Sequence, residues 1–143
     1  MTAYRRILAA IDLTQDSRAV AERACEIARA GAGTLQILHV LELMPIEPMG
    51  DAMVPVIQID AQIMTRTRAQ MDSLTRELGL PPEAGSVEAG SAKSEILRYA
   101  REQGSDLIVL GCRERHGLSI LLHRTEDTVL HGAPCDVLAV RVR

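Results

Sequence analysis

The sequence contains five short apolar runs, most of them continuous rather than alternating in polarity. They span residues 7–11, 35–41, 86–88, 107–110 and 137–142. A strand that is apolar at every position is typical of a parallel sheet, because helices cover both faces of such a sheet. The runs therefore predict five strands of a parallel sheet.

Two helical patterns lie in the first half of the chain. The first follows the capping residues Thr14 and Asp16 and stops at Gly31. The second extends over residues 57–78, and apolar residues recur in it at helical spacing. Its buried stripe is expected to contain Ile63, Thr67, Met71, Leu74 and Leu78.

Two further helices are predicted in the second half. Ser91 caps one and Gly104 stops it, while Thr125 opens a shorter one that ends near Gly132. Strands and helices thus alternate, which predicts an α/β fold with an open five-stranded sheet covered on both faces, in a single domain of residues 1–143. Residues 44–56 are the one long irregular connection, either a lid or partner-binding surface or a loop packed on the sheet edge.

The composition argues against several classes of protein. A net charge of −3 and two aromatic residues, Tyr4 and Tyr99, argue against nucleic acid as a partner. No apolar run approaches the roughly 18 residues of a membrane helix, and the N-terminal segment lacks the apolar stretch of a signal peptide. Three widely spaced cysteines without a CxxC motif argue against a disulfide scaffold, so we expect a reducing cytoplasm.

Two strand ends predict a ligand site, because ligands of an open parallel sheet bind beyond its carboxyl edge where the strand order reverses. The first strand ends at Asp12, and the fourth ends at Gly111. A carboxylate there can hold a ribose hydroxyl or a metal. A glycine loop that leads into a helix at Thr125 offers backbone N–H groups to an anion. Asp12 has an alternative role as a cap at the entry to the first helix.

Three segments together resemble the universal stress protein family. They are ILAAIDLTQDS near the start, LQILHVLEL at the second strand, and DLIVLGCRERHGLSILL followed by VLHGAPCDVLAVRV at the end. The resemblance covers essentially all 143 residues. It implies a sheet of strand order 3-2-1-4-5 in an adenine nucleotide α-hydrolase-like fold, assembled as a homodimer.

The resemblance also implies where a nucleotide would bind. One branch of the family binds ATP through a loop of the form G-x2-G-x9-G-[ST], and the other branch lacks this pattern and does not bind ATP. Gly111 matches the first glycine and Thr125 the hydroxyl residue, but Glu114 replaces the second glycine and Arg124 the third.

Two further positions match the ATP-binding branch. Asp12 would face the ribose and adenine end, and the backbone of Val40 would hold the adenine. Glu114, however, adds a negative charge near the triphosphate, and Arg124 fills space that glycine leaves for close approach of the backbone. We therefore expect a lapsed or weak nucleotide site without a resident cofactor, with a working ATP site as the alternative.

Other residue types give no catalytic or metal-binding pattern. The four histidines form neither HxxxH nor HExxH spacing, and GxSxG does not occur, so neither a metal site nor an enzyme is expected. Cys112 lies beside Arg113 and close to Arg115. It is either a thiol that reacts with oxidants or an inert small residue.

The last apolar run predicts an edge strand. Leu138, Val140 and Val142 would share one face, with Arg141 and Arg143 on the other. Exposed edges pair readily with another chain, and the resemblance implies that two copies pair here. An edge guarded by its arginines is the alternative.

These observations together predict a cytoplasmic, non-enzymatic stress-response homodimer that acts through contacts with a protein partner of unknown identity. Neither nucleic acid nor a membrane is expected as a partner. A nucleotide-dependent switch or weak ATPase is one alternative. A thiol-based redox sensor centred on Cys112 is another.

Overall fold

The strands form one parallel sheet. The computed structural model describes residues 3–42, 57–113 and 125–142, with the side chains at positions 57–60, 113 and 125–127 excepted. The strands are β1 (Arg6–Ala10), β2 (Thr34–Glu42), β3 (Gly85–Gly90), β4 (Leu107–Arg113) and β5 (Asp136–Val142). Their order is β3-β2-β1-β4-β5, and all neighbours pair in parallel. The predicted α/β fold and strand order are confirmed, whereas the connection at 44–56 lies outside the described residues.

Helices cover both faces of this sheet. They are α1 (Ser17–Gly31), α2 (Ile57–Glu77), α3 (Ala92–Gln103) and α4 (Thr125–Gly132), and a 3-10 turn at Pro82–Ala84 precedes β3. Successive residues of β1 point to opposite faces. Ile7 and Ala9 pack in a cluster with α1 and α2, while Leu8 and Ala10 pack in a second cluster with α3 and α4. The central strands are therefore buried on both sides, as their continuous apolar sequence requires.

The stripe predicted for α2 is buried in the second half of the helix. Met71 is 2% exposed, and a side chain at Gly85 of β3 would come within 2.6 Å of Met71 Cγ. Thr67 is also buried, and its hydroxyl donates to the Ile63 carbonyl. Ile63 itself is 40% exposed, so its predicted burial is wrong. It lies about 12 Å along the helix axis from Met71, away from the close contact with β3.

The edge position predicted for the last strand is confirmed. In the described part of the chain β5 pairs with β4 alone. Leu138, Val140 and Val142 are half-buried and pack on the α1 side of the sheet, whereas Val137 packs on the other side. Arg141 is exposed. The apolar face of β5 is thus only partly covered by the part of the chain that the structure describes.

The end of α1 places a left-handed residue at an alanine. The helix ends at Gly31 as predicted, but Ala32 has φ 50° and ψ 39°. The glycines on either side are needed for lack of space, since a Cβ at Gly31 or Gly33 would come within 2.9 Å or 2.6 Å of the Tyr4 carbonyl oxygen. Both glycines are therefore needed for the close approach to the segment before β1. The left-handed conformation is adopted by Ala32, the residue between them.

Replacing Ala32 with glycine should raise the free energy of unfolding by about 0.5–1 kcal/mol. The left-handed conformation costs an L-residue about 1–2 kcal/mol, which exceeds the roughly 0.4–1 kcal/mol that glycine adds to the entropy of the unfolded chain. Urea unfolding followed by circular dichroism measures the change. As a matched control, Ala30→Gly on the exposed, right-handed last turn should lower the same free energy by about 0.5–1 kcal/mol. Destabilisation by both variants would contradict this account.

Candidate functional site

A cavity of about 520 Å³ opens at the carboxyl ends of the central strands. Its wall is formed by the segment from β1 into α1, the end of β2, the start of α3, the end of β4 and the last residue of β5. This is where the strand order reverses between β1 and β4, the position at which open parallel sheets bind ligands. Its volume suits a small organic molecule. Three of the four predicted site residues, Asp12, Val40 and Gly111, line it.

Asp12 orders the loop that joins β1 to α1. Its Oδ1 accepts hydrogen bonds from the Thr14 backbone N–H at 3.0 Å and from Thr14 Oγ1 at 2.6 Å. Leu13 between them has φ 58°, a conformation that L-residues rarely adopt and that is often found at functional sites. Asp12 therefore holds a turn of constrained geometry at the cavity wall.

The entry to α1 differs from the predicted capping. The N-cap position falls on Asp16, whose side chain makes no capping hydrogen bond. The Thr14 carbonyl instead accepts from Ser17 N at 3.1 Å and from Ser17 Oγ at 2.6 Å. Thr14 thus takes part through its backbone carbonyl, and Asp12 lies one turn before the helix, bonded to Thr14.

Gly111 lies inside β4 and not at the start of a loop. The predicted strand ended at Leu110, but β4 continues to Arg113, with Gly111 paired to Val140 of β5. A side chain at Gly111 would meet Val20 at 3.2 Å and Val142 at 3.3 Å, so a larger residue here would need both valines to shift by a few tenths of an ångström. The loop interpretation of Gly111 is wrong, because pairing with β5 extends the strand past the apolar run.

The phosphate end of the predicted site is only partly described. Thr125 begins α4, as predicted. Residues 114–124, which include Glu114 and Arg124, lie outside the described residues. The structure therefore brings Asp12, Val40 and Gly111 together, and a role for Thr125 in binding stays a prediction.

His39 is a site residue that the sequence reasoning weighed only as a metal ligand. It lines the cavity, and its Nδ1 donates to the Ile11 carbonyl oxygen at 2.7 Å. The Ile11 N–H in turn donates to the Leu38 carbonyl at 2.9 Å. The sequence signal that could have identified His39 is a polar residue directly before Val40 in an otherwise apolar strand.

The cysteines are free thiols in three different settings. Burial raises the pKa of the Cys25 thiol and, with Asp106 and Asp136 adding to the effect, that of Cys135. Cys112 is half-buried within β4, in register with Arg141. Cys25 and Cys135 are therefore held as neutral thiols.

The described part of the chain contains neither a cluster of metal-ligating side chains nor a membrane-spanning helix. There, no group of three or more histidine, cysteine or acidic side chains is placed to hold a metal ion. His116 and His123 belong to the segment 114–124 and lie outside the described residues. None of the described helices is long and apolar enough to cross a membrane.

Comparison with known proteins assigns the chain to a family. The sequence profile described as "Universal stress protein family" matches residues 3–141. Universal stress protein A homolog 1 of Coxiella burnetii is 36% identical over 138 residues, which are 96% of each chain. Homolog 2 of the same organism is 32% identical over 144 residues, or 100% of this chain and 99% of the relative.

Solved structures share the fold. The universal stress protein UspA of Lactobacillus plantarum superposes with a TM-score of 0.75 at 25% identity, over 99% of this chain and 100% of that one. A universal stress protein in complex with cAMP superposes with a TM-score of 0.72 at 19% identity, over 99% of both chains. The profile match over nearly the whole length and the sequence relatives show that this chain belongs to the universal stress protein family.

Proposed function

We propose that this protein is a cytoplasmic stress-response regulator without enzymatic activity, which acts as a homodimer through contacts with a protein partner. The observation that carries the proposal is the half-covered edge strand β5. Val140 and Val142 are half-buried by the chain itself and lie on one face of a strand whose outer backbone edge has no neighbour among the described residues. Such an edge is suited to pair with a second copy about a two-fold axis.

Two side chains of the cavity wall support a role other than catalysis. Ser17 carries a potential nucleophile, its hydroxyl, and the His39 imidazole is a potential base. Ser17 Oγ donates to the Thr14 carbonyl at 2.6 Å, and His39 Nδ1 is 2.7 Å from the Ile11 carbonyl that accepts its proton. Ser17 Oγ therefore gives its proton to a backbone oxygen and not to a base, which is not the arrangement of an activated nucleophile, and the Nδ1 bond holds the His39 ring against Ile11.

The assembly is tested by a charge at the proposed interface. Val140→Lys should dissociate the homodimer, because it places a like charge from each copy close to the two-fold axis of an apolar surface. Sedimentation velocity should show the unaltered protein as a dimer and the variant as a monomer.

Ala89→Lys serves as the matched control for that variant. It adds the same charge at an exposed position of β3, the strand at the opposite edge of the sheet. This control should remain dimeric. If Val140→Lys is dimeric and Ala89→Lys is monomeric, the copies pair through β3 and the proposed interface is wrong.

A second candidate function is a switch that responds to an adenine nucleotide, and the cavity favours it. Asp12 and Val40 line the space where the family resemblance expects ribose and adenine. A structural relative has been solved in complex with cAMP, which is a nucleotide with a single phosphate. The described part of the site therefore suits a nucleoside moiety.

The triphosphate is the part of ATP that this chain fits poorly. Glu114 follows directly after β4, at a position where the family motif has glycine. Two like charges about 4 Å apart repel by roughly 4 kcal/mol at an effective dielectric of 20. Arg124 replaces the third glycine, and a long side chain there competes for the space of the phosphates. We propose that the segment 111–125 derives from a phosphate loop and binds ATP weakly or not at all.

Calorimetry with Mg-ATP tests this proposal. The unaltered protein should show no binding tighter than about 0.1 mM, which corresponds to roughly −5.5 kcal/mol. The double variant Glu114→Gly and Arg124→Gly should bind more tightly, since it restores the motif. Asp12→Ala in that background should weaken binding again. Micromolar affinity of the unaltered protein would refute the weak site and favour the nucleotide switch.

A further inference from the structure

Where the cavity begins, the backbone hydrogen bonds between β1 and β2 end and a bond from a side chain to the backbone follows. The two strands pair up to Ala10 with Leu38, and the Ile11 N–H extends the ladder by donating to the Leu38 carbonyl at 2.9 Å. In a regular parallel ladder, the Ile11 carbonyl would next accept from the Val40 N–H. It accepts instead from His39 Nδ1 at 2.7 Å.

The acceptor fixes the tautomer of His39. A carbonyl oxygen can only accept, so Nδ1 carries the hydrogen in this bond. The imidazole therefore takes the place of the next backbone donor. A half-buried carbonyl is satisfied by a side chain, and β1 separates from β2 without leaving that carbonyl unpaired.

The separation has a consequence for Val40. Along a strand, the N–H and C=O of residues two apart point to the same side. Since the Leu38 carbonyl is bonded to β1, the N–H and C=O of Val40 also point to the β1 side of β2. Val40 lines the cavity at the place where β1 has turned away. Its two backbone groups are thus directed at the cavity.

The same bond fixes the other wall of the cavity. The Ile11 carbonyl belongs to the peptide unit that joins Ile11 to Asp12, so the imidazole orients the residue that precedes the strained Leu13. Left-handed backbone at a leucine persists when neighbouring bonds determine it. Here the His39 bond fixes the peptide unit before Asp12, and the two bonds from Thr14 to Asp12 span Leu13.

We propose that His39 is a positioning residue of the cavity: its imidazole ends the β1–β2 ladder and so keeps the Val40 backbone open to the flat, hydrogen-bonding edge of a ligand such as a nucleotide base. The ligand class rests on the nucleotide-binding candidate described above. The role of the imidazole in the free protein does not depend on that candidate. The two can therefore be tested separately.

The free protein is tested first, by amide hydrogen exchange measured by NMR. In His39→Leu, the Ile11 carbonyl loses its donor and should pair with the Val40 N–H, so the Val40 amide should exchange about fivefold or more slowly, as expected for one added hydrogen bond. In His39→Asn, the side-chain amide nitrogen occupies the position of Nδ1 and should restore the exchange rate of the unaltered protein.

Tyr99→Phe is the control for loss of a half-buried side-chain hydrogen bond. Tyr99 is bonded to Ser86 and Gln36, away from the cavity wall. This variant should leave Val40 exchange unchanged. An unchanged Val40 rate in His39→Leu, or an asparagine variant that behaves like the leucine variant, would overturn the proposal.

The ligand arm uses AMP, titrated at millimolar concentrations and followed by NMR. If the unaltered protein binds AMP, His39→Leu should weaken the affinity about tenfold, while His39→Asn and Tyr99→Phe should stay within about twofold. Equal affinities of the unaltered protein and His39→Leu would overturn the positioning role. If the unaltered protein shows no AMP binding, the nucleotide-binding candidate fails, and the exchange rates still decide the role of His39.

Discussion

Burial of β1 on both faces is the constraint from which the rest of this structure follows. Ile7, Leu8 and Ala9 are each at most 1% exposed, and the strand has hydrogen-bonded neighbours on both sides. A strand of this kind needs a helical layer above and below it, and parallel neighbours need crossover connections that supply those layers. All carboxyl ends then meet at one edge of the sheet. The cavity lies where the chain leaves β1 for one face and the order of strands reverses.

Elements with a strong local signal could be predicted from the sequence. The apolar runs predicted the central strands β1 and β4 because burial on two faces leaves few polar positions. Gly104, with φ 63°, stops α3 because a left-handed residue ends the helix there, and Ser91 occupies the N-cap position. These features depend on a few neighbouring residues, so the sequence carries them directly.

Features that depend on contacts between distant segments were missed. β4 continues through Gly111 because β5 pairs with it, which the sequence of β4 alone does not reveal. Ile63 fits the helical period of α2, yet that turn lies outside the close contact with the sheet. Ala32 is left-handed between two glycines that closely approach the carbonyl oxygen of Tyr4, a residue distant in sequence.

The candidate site likewise contains residues that could be predicted from the sequence and one interaction that could not. Asp12, Val40 and Gly111 could be placed together from the strand order that the family resemblance implied, since strand ends are fixed by topology. The hydrogen bond of His39 could not be foreseen. It depends on the register between two strands, and a histidine at a strand end has several common roles.

Val142 belongs both to the cavity wall and to the edge strand β5. It is also one of the two side chains that lie close beside Gly111. A molecule that contacts Val142 from inside the cavity therefore contacts the strand whose outer edge has no neighbour among the described residues. If the homodimer proposed above pairs through β5, and a ligand binds the monomer and the dimer with different affinities, then ligand binding and dimerisation each shift the other by the same factor.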